Sequence, residues 1–339
     1  MLARGSATIP TLALATALGG AAFAAEAPPR PFLRDVIKLD DAQLAATDRG
    51  EVVTKLLPTT DKAEVAAFGV VKVTGTPDAL LRLAKDIQRF RKVPQIPEMG
   101  VFSTPPRVED LRGLTHPPDD INALKSCKPG SCDVKLGTKG LGMISKVNWS
   151  APDAQGQAVG IFNQGIVEMA TTYQQKGVDA LGDVQDKKTA KQRAQEHRAL
   201  LANSPYLATY VKEFNDYLTD YPYRKLAGVE NVHYWAKDTF GLKPVVSVYH
   251  LALFKSDRGA LLASRQVAAS HFFNAGLEIM AAVPAADGSG TYLLSLYRTR
   301  LDPPTGMLAG VLMGKVRDGV QTGVGENLKF LRQQLATAK

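Results

Sequence analysis

The stretch from Lys243 to Asp302 constrains the fold more than any other part of the sequence. It contains three long runs of strand-forming residues, KPVVSVYHLALFK, LLASRQVAASHFFNAGLEIMAAV and GTYLLSLYRTRLD, separated by the turn-forming segments SDRGA and PAADGSG. Runs rich in β-branched and aromatic residues and bounded by such turns predict strands that are neighbours in a sheet. The stretch therefore predicts an antiparallel sheet on which the rest of the chain packs.

The segment from Thr305 to Leu335 predicts a long C-terminal helix. Its apolar residues recur at almost every fourth position, which is the spacing of a helix with one buried face. They are Leu308, Leu312, Val316, Val320, Val324, Leu328, Leu331 and Leu335. The segment is also rich in glycine, and each glycine costs about 1 kcal/mol of helix stability relative to alanine. We interpret these glycines either as sites of close approach to a sheet backbone or as room for a ligand.

Two further segments predict where the sheet begins and what interrupts it. The pattern of residues 65–73 predicts a strand with two apolar faces. Thr76 and Pro77 then predict the start of a helix, with Thr76 as its N-cap and Pro77 in its first turn. Between about 150 and 222 helical patterns dominate, with a buried stripe from Val159 to Tyr173 and a charged, exposed helix at 183–197. We predict an α+β fold in which residues 40–339 form a single domain with a helical insertion at about 150–222.

The N-terminus has the pattern of a secretory signal. Arg4 precedes a weakly apolar run, and Ala22, Phe23 and Ala24 match the small-x-small motif of a signal peptidase site. We predict a cleaved signal peptide at 1–25, an extended tether at 26–39 and a periplasmic or secreted location. No later stretch has enough uncharged apolar length to predict a membrane span.

The two cysteines predict a disulfide bond. Cys127 and Cys132 enclose the turn sequence Lys-Pro-Gly-Ser, and paired cysteines in an exported chain are typically oxidised. A redox role is the alternative, although the spacing is not Cys-x-x-Cys. A metal site is a further alternative, for which His116 is the nearby histidine and more ligands would be needed.

The charge of the chain and its missing motifs give no support to several classes of function. The formal net charge is +8, which favours weak contact with an anionic membrane surface. The basic residues are dispersed, without an arginine-rich arm or an aromatic-basic RNA motif, so nucleic-acid binding is not predicted. The sequence has no Walker loop, dinucleotide fingerprint, nucleophile elbow or HExxH motif, so no cofactor and no metal are predicted.

Two resemblances to known families cover much of the chain. The segments GVVKVTGTPDALLRLAKDIQRF and YLLSLYRTRLDPPTGMLAG resemble the first strand and helix, and the last strand and helix, of the START-like superfamily. That resemblance implies a helix-grip fold, in which a curved antiparallel sheet wraps a long C-terminal helix around an apolar cavity. The segments CKPGSCDVKL, YWAKDTFGLKPVVSVYH, SRQVAASHFF and YRTRLD resemble an uncharacterised family of exported bacterial proteins, which implies no catalytic residues.

Several polar residues interrupt the apolar runs and are candidate ligand contacts. If the hairpin is symmetric about Arg258, His250 lies opposite Gln266, within side-chain reach. His271 then points to the other face, so a two-histidine metal site or catalytic dyad is not favoured. A histidine satisfied by a neighbouring hydrogen-bond partner is the alternative to a ligand-facing or proton-transfer role for each histidine.

Two arginines share one face of the last strand. Arg298 and Arg300 pair with a carboxylate, for which Glu278 and Asp302 are the candidates, or extend towards solvent. The sharper hypothesis is that one arginine binds the acidic head group of an otherwise apolar ligand.

These observations lead to one principal functional prediction and two alternatives. We predict an exported soluble protein that binds an apolar or amphipathic, lipid-like small molecule in an internal cavity. Tyr234 and Trp235 would either close the mouth of that cavity or pack as core aromatics. The first alternative is an enzyme on the same fold with His250 or His271 as the acid–base group. The second is an envelope interaction protein with a filled core.

Overall fold

The structure is a computed structural model that describes residues 29–239 and 243–337. The predicted signal peptide at 1–25 lies outside the described residues. Residues 26–39 were predicted to be an extended tether, but in the described part of that segment Phe32–Val36 form a short π-helical turn and Leu33, Ile37 and Leu39 are buried. These side chains pack against the sheet beside Phe68, so this segment is part of the core.

The main sheet has eight antiparallel strands in the order β1-β2-β10-β9-β8-β7-β6-β3. A separate two-stranded ladder joins β4 to β5. The strands are β1 (Val53–Leu57), β2 (Glu64–Val73), β3 (Glu98–Val101), β4 (Asp183–Val184), β5 (Lys191–Gln192), β6 (Val229–Asp238), β7 (Val245–Ser256), β8 (Gly259–Ala269), β9 (Phe273–Pro284) and β10 (Thr291–Leu301). The first long strand, β2, thus pairs directly with the last, β10, and β1 is the edge strand on the other side of β2.

The helices come from both ends of the chain and from the segment between β3 and β6. They are α1 (Asp41–Asp48), α2 (Pro77–Lys85), α3 (Ile87–Phe90), α4 (Pro118–Leu124), α5 (Thr138–Ile144), α6 (Ala154–Lys176), α7 (Arg193–Ala202), α8 (Pro205–Tyr210), α9 (Lys212–Thr219) and α10 (Ala309–Thr337). Short 3-10 helices add residues Val108–Leu111 and Val178–Leu181. The Thr76 hydroxyl caps α2 by accepting a hydrogen bond from the Ala79 N–H, as the sequence predicted.

Helices cover both faces of the sheet. The face that packs against α2, α3 and α10 is here called the inner face, and its core includes Leu80, Leu328 and Leu331. The opposite, outer face packs against α6, α7 and α9 from the segment between β3 and β6. Because both faces are covered, β7 to β10 carry apolar residues on both sides instead of alternating with polar ones.

The C-terminal helix approaches the sheet closely at a glycine of the sheet. A Cβ atom at Gly69 of β2 would lie 2.6 Å from side-chain carbons of both Val324 and Leu328. A Cβ atom at Gly319 or Gly323 of α10 would meet nothing within 4 Å, whereas one at Gly325 would lie 3.3 Å from Thr54 Cγ2 of β1. The close approach predicted from the helix glycines therefore occurs, with its tightest contacts at Gly69 of the strand and a looser one at Gly325 of the helix.

The coarse fold prediction is confirmed: the chain is α+β, with a large antiparallel sheet and a C-terminal helix. The segment between β3 and β6 begins at Phe102, well before the predicted insertion at about 150–222, and ends at Gly228. The single domain over 40–339 stays a prediction. No helix in the described ranges is both long and apolar enough to cross a membrane.

Candidate functional site

A pocket of about 440 Å³ lies between the outer face of the sheet and helices α5 and α6. Its walls are mostly apolar and come from segments far apart in sequence. They include Leu136, Met143, Ile144, Ile161, Phe162, Ile166, Met169, Val246, Val248 and Ala268. This size and lining are typical of pockets that hold small molecules, and methionines allow such a wall to adapt to the shape of a ligand.

Gly165 keeps one side of this pocket open. It lies in the middle of α6 and lines the pocket, and a Cβ atom there would meet nothing within 4 Å. A glycine inside a helix lowers the stability of the helix by roughly 1 kcal/mol relative to alanine. No contact of the described residues requires glycine at this position, so its effect is to leave space in the pocket.

Arg193 places a buried positive charge in the pocket wall. It is the first residue of α7 and is only 3% exposed. Burial lowers the pKa of its guanidinium to about 10, although Asp186 and Asp183 favour the charged form from a distance. Within the described parts of the chain, its side chain forms no hydrogen bond and no ion pair. A buried charge without a contacting partner is costly, so the guanidinium of Arg193 is a candidate contact for an anion.

A second cation in the pocket wall is, in contrast, fully neutralised. Lys135 is buried, and its ammonium lies 2.6 Å from Asp302 Oδ2 and 3.4 Å from Asp186 Oδ2. It also donates a hydrogen bond of 2.9 Å to Asn274 Oδ1. The carboxylate of Asp186 is thus engaged by Lys135 rather than by Arg193, and Arg193 is the group in this wall that remains available to a ligand.

His250, a predicted ligand contact, lies outside the pocket in a closed hydrogen-bond network. Its Nε2 donates to Asn231 Oδ1 at 2.7 Å, and its Nδ1 accepts from the Tyr173 hydroxyl at 2.8 Å. Arg265 in turn donates to that hydroxyl at 3.2 Å. Burial lowers the pKa of His250 well below its usual value. His250 is therefore a neutral structural group with both ring nitrogens occupied, and the acid–base hypothesis gains no support from it.

Gln266 is separated from His250, which corrects the predicted pairing. The β7–β8 hairpin turns through two residues, Asp257 and Arg258, so His250 pairs with Arg265 and Gln266 pairs with Tyr249. A shift of one residue moves a side chain to the opposite face of a sheet. Gln266 accordingly faces the inner side, where its Nε2 donates to Ser247 Oγ at 3.0 Å.

The inner-face polar network continues from Gln266 to a buried carboxyl group. The Tyr249 hydroxyl accepts from Gln266 Nε2 at 3.3 Å and donates to Asp238 Oδ2 at 2.7 Å. Burial raises the pKa of Asp238 to about 6, and the hydrogen bonds from Tyr249 and Ser247 only partly offset this effect. The network therefore contains a carboxyl group that titrates near neutral pH.

We expect Asp238→Asn to change how stability depends on pH. An acid whose pKa is raised on folding binds its proton more tightly in the native state, so its stabilising contribution is present below pH 3.8 and is lost as pH rises through about 6. The unfolding free energy of Asp238→Asn relative to the unmodified protein should rise by about 2 to 3 kcal/mol between pH 4 and pH 7. Urea unfolding at both pH values measures this, with exposed Asp257→Asn as the control. Parallel pH profiles for the unmodified protein and Asp238→Asn would contradict the assignment.

Arg298 and Arg300 are paired with carboxylates, but not with the predicted ones. Arg298 Nη1 lies 2.6 Å from Glu64 Oε1. Arg300 binds Glu196 Oε2 at 2.6 Å and Asp61 Oδ2 at 2.7 Å. The predicted partners are engaged elsewhere, since Glu278 binds Arg91 and Asp302 binds Lys135. Neither Arg298 nor Arg300 lines the pocket, so their predicted role in binding a ligand head group remains without structural support.

Tyr234 and Trp235 are buried core residues that lie on opposite faces of β6. Tyr234 packs on the inner face and stacks on Tyr249 with ring centroids 4.9 Å apart. Trp235 packs on the outer face, and its indole N–H donates to the carbonyl of Asp110 at 2.8 Å. Of the two interpretations offered from the sequence, core packing therefore describes both residues.

His271 lies in the turn between β8 and β9, away from His250. Its Nε2 is 2.8 Å from Asp120 Oδ2, and its Nδ1 is 2.9 Å from the carbonyl oxygen of Asp133. It does not line the pocket, although its neighbour Ser270 does. The structure therefore gives His271 acidic neighbours from the segment before β4, which the sequence did not indicate.

The burial of Arg193 was not predicted from the sequence, because residues 183–197 were interpreted as an exposed helix. In the structure Arg193, Glu196, His197 and Leu200 all face the core. Their spacing of three and four residues is the signal that was available, but it was hidden because three of the four are polar. A charged residue at a buried helical position is itself a sign of a functional or paired group.

Comparisons with known proteins identify no family for the chain. No family model matches it, and no curated protein matches it significantly. One similar solved structure is the di-domain ARO/CYC BexL from the BE-7585A biosynthetic pathway, at 10% sequence identity and a TM-score of 0.25. That match covers 81% of this chain and 99% of that chain. A match at this TM-score assigns no function to this chain.

Proposed function

We propose that this protein binds a small amphipathic anion in the outer pocket, with its apolar part against the walls and its charged group on Arg193. The observation that carries the proposal is Arg193, which is 3% exposed in a mostly apolar pocket wall and forms no side-chain hydrogen bond or ion pair among the described residues. A carboxylate, sulfonate or phosphate would supply the missing hydrogen-bond acceptors to the guanidinium.

The proposed site differs in place, but not in kind, from the predicted one. The resemblance to START-like proteins implied a cavity between the sheet and the C-terminal helix, and we propose that the helix-grip arrangement describes this sheet and α10. In this chain, however, Leu328 and Leu331 of α10 are fully buried against the inner face. The outer pocket is instead formed by the segment between β3 and β6. A lipid-like molecule with an acidic head group fits the chemistry of the cavity predicted from the sequence and that of the outer pocket.

An exported location is part of the proposal. Cys127 and Cys132 form a disulfide bond that joins the end of α4 to the extended segment carrying Lys135 and Leu136 of the pocket wall. Disulfides persist in oxidising compartments, which agrees with the predicted periplasmic or secreted location. We infer that the bond helps to keep this wall of the pocket in place.

Filling the pocket should abolish binding without destabilising the protein. We expect Gly165→Phe to occupy the open space beside α6 and to weaken binding of dodecanoate, a fatty acid with an apolar tail and a carboxylate, by at least 100-fold. Its unfolding temperature should not fall, because the change removes a glycine from a helix interior. Isothermal titration calorimetry and thermal unfolding measure the two effects.

The matched control is Gly160→Phe. Gly160 lies on the same helix with equally open surroundings, but it is exposed and does not line the pocket. The control should bind dodecanoate as the unmodified protein does. Native mass spectrometry of the purified protein tests for a co-purified ligand. The proposal is wrong if the unmodified protein carries no anion and binds no dodecanoate, or if both variants bind equally.

A further inference from the structure

We propose that Asp120, Asp133 and His271 form a binding site for a divalent transition-metal ion. Asp120 lies in the first turn of α4, Asp133 directly follows Cys132, and His271 lies in the turn between β8 and β9. One ligand atom from each residue lies within 4.8 Å of the other two. One imidazole and two carboxylates form a ligand set typical of zinc, manganese and iron sites.

The orientation of His271 indicates a positive charge between its ring and Asp120. A carbonyl oxygen only accepts hydrogen bonds, so Nδ1, at 2.9 Å from the Asp133 carbonyl, carries a hydrogen and donates. On the other side of the ring, Nε2 lies 2.8 Å from Asp120 Oδ2. Two lone pairs at that distance repel unless a proton or a metal ion lies between them. A histidine held by Nδ1–H to a carbonyl, with Nε2 free to coordinate, is a common arrangement in metal sites.

The second carboxylate oxygen of Asp120 distinguishes a metal ion from a proton. Asp120 is 3% exposed, and among the described residues its Oδ1 has no hydrogen-bond partner. A proton on Nε2 would satisfy Oδ2 and leave Oδ1 buried without a hydrogen bond, with only the Lys243 ammonium 3.8 Å away, whereas a metal ion can interact with both oxygens of a carboxylate. The metal ion therefore accounts for one observation that the proton does not.

The charges around the cluster also favour a cation. Lys243 contacts the carboxylate of Asp133, and its ammonium lies 3.8 Å from Asp120 Oδ1. Two carboxylates of the cluster are thus contacted by a single ammonium. The Lys243 side chain is 41% exposed, so it can move into solvent when a divalent ion enters. Lys243 is accordingly a competitor of the metal ion and not one of its ligands.

The disulfide holds two of the three ligands in place. Cys127 follows the end of α4, which carries Asp120, and Cys132 directly precedes Asp133. The bond therefore fixes the two carboxylates relative to each other, while the β8–β9 turn fixes His271. The proposal does not depend on the outer pocket, since none of these three residues lines it.

The test is a calorimetric titration of Zn²⁺ into the tag-free, chelator-treated full chain. We expect one ion per chain, and we expect Asp120→Asn to weaken its affinity at least tenfold. Asp119→Asn, which removes the same charge from the adjacent exposed position, should leave the affinity unchanged. Lys243→Met should tighten binding several-fold because it removes the competing ammonium.

Asp133→Asn provides a second variant in case the buried Asp120→Asn does not fold. The Asp133 side chain is 54% exposed, so this change should preserve the fold and still weaken Zn²⁺ binding at least tenfold. Circular dichroism of the metal-free proteins checks folding. The proposal is overturned if the unmodified chain binds no Zn²⁺, if Asp119→Asn and Asp133→Asn bind it equally, or if Lys243→Met weakens its affinity.

Discussion

Arg193→Met is expected to make the protein more stable and, at the same time, unable to bind its anionic ligand tightly. Methionine fills a volume similar to that of arginine and carries no charge, so it removes the cost of burying an unpaired guanidinium among apolar side chains. We expect the unfolding free energy to rise by about 1 to 3 kcal/mol. A charged hydrogen bond contributes roughly 1.5 to 3 kcal/mol, so dodecanoate should bind about 10- to 100-fold more weakly.

Two comparisons make this prediction specific. Dodecanol has the same tail without the charge, and its affinity should be nearly unchanged or slightly higher in Arg193→Met. Arg198→Met removes a positive charge from the same helix, but that side chain is 62% exposed and pairs with Asp179, so stability and binding should both change little. Urea unfolding and calorimetry give the two quantities. If Arg193→Met destabilises the protein, or if dodecanoate and dodecanol weaken equally, Arg193 is a structural residue and not a ligand contact.

Arg193→Met is thus expected to raise stability and to weaken binding, and these opposite effects follow from the general chemistry of binding sites. A group that contributes to folding is satisfied by the chain itself, as Lys135 is by Asp186, Asn274 and Asp302. A group kept for a ligand remains unsatisfied until the ligand arrives, and the rest of the fold bears that cost. Lys135 and Arg193 lie in one pocket wall and have the same charge, so they separate the two cases within a single molecule.

Local sequence patterns predicted the elements of this fold better than their boundaries. The N-cap and first-turn proline of α2, the long C-terminal helix and the disulfide depend on residues close in sequence, and each was read correctly. The run from Leu261 to Val283 was read as one strand, although it forms β8 and β9 with a turn at residues 270–272. That turn contains no glycine or proline, and Phe272 adopts a φ of 56°, which a non-glycine residue rarely does.

The candidate site was much less accessible from sequence, for two physical reasons. Its walls bring together Met143, Phe162 and Val246, and no local periodicity reports which distant apolar residues will face each other. In addition, the hairpin register depends on whether Asp257 and Arg258 form a two-residue turn, and one residue of error exchanged Gln266 for Arg265 as the neighbour of His250. As a result, the polar residues that were predicted from the sequence to contact a ligand lie in hydrogen-bond networks of the core and not in the pocket.

Glu64→Gln is expected to cause the largest loss of stability among the variants considered, about 3 to 5 kcal/mol. Glu64 is 1% exposed at the start of β2, and its Oε1 accepts the 2.6 Å bond from Arg298 of β10. Its Oε2 accepts from Asn203, which follows α7, at 2.7 Å. Removing the charge leaves the guanidinium of Arg298, itself 6% exposed, buried without a carboxylate. The contact lies where the first and last long strands meet, so its loss weakens the pairing of β2 with β10.

A double variant separates an unpaired charge from a loss of shape. Glu64→Gln combined with Arg298→Met removes both charges, so we expect it to recover most of the stability lost by Glu64→Gln alone. Asp61→Asn is the matched control, because Asp61 is 42% exposed and its partner Arg300 keeps its contacts with Glu196 and Glu64. This change should lower the unfolding free energy by less than about 1 kcal/mol. Urea unfolding of the unmodified protein, Glu64→Gln, Arg298→Met and the double variant completes the cycle. If the double variant is no more stable than Glu64→Gln, the loss of stability arises from packing around β2 and not from the unpaired charge of Arg298.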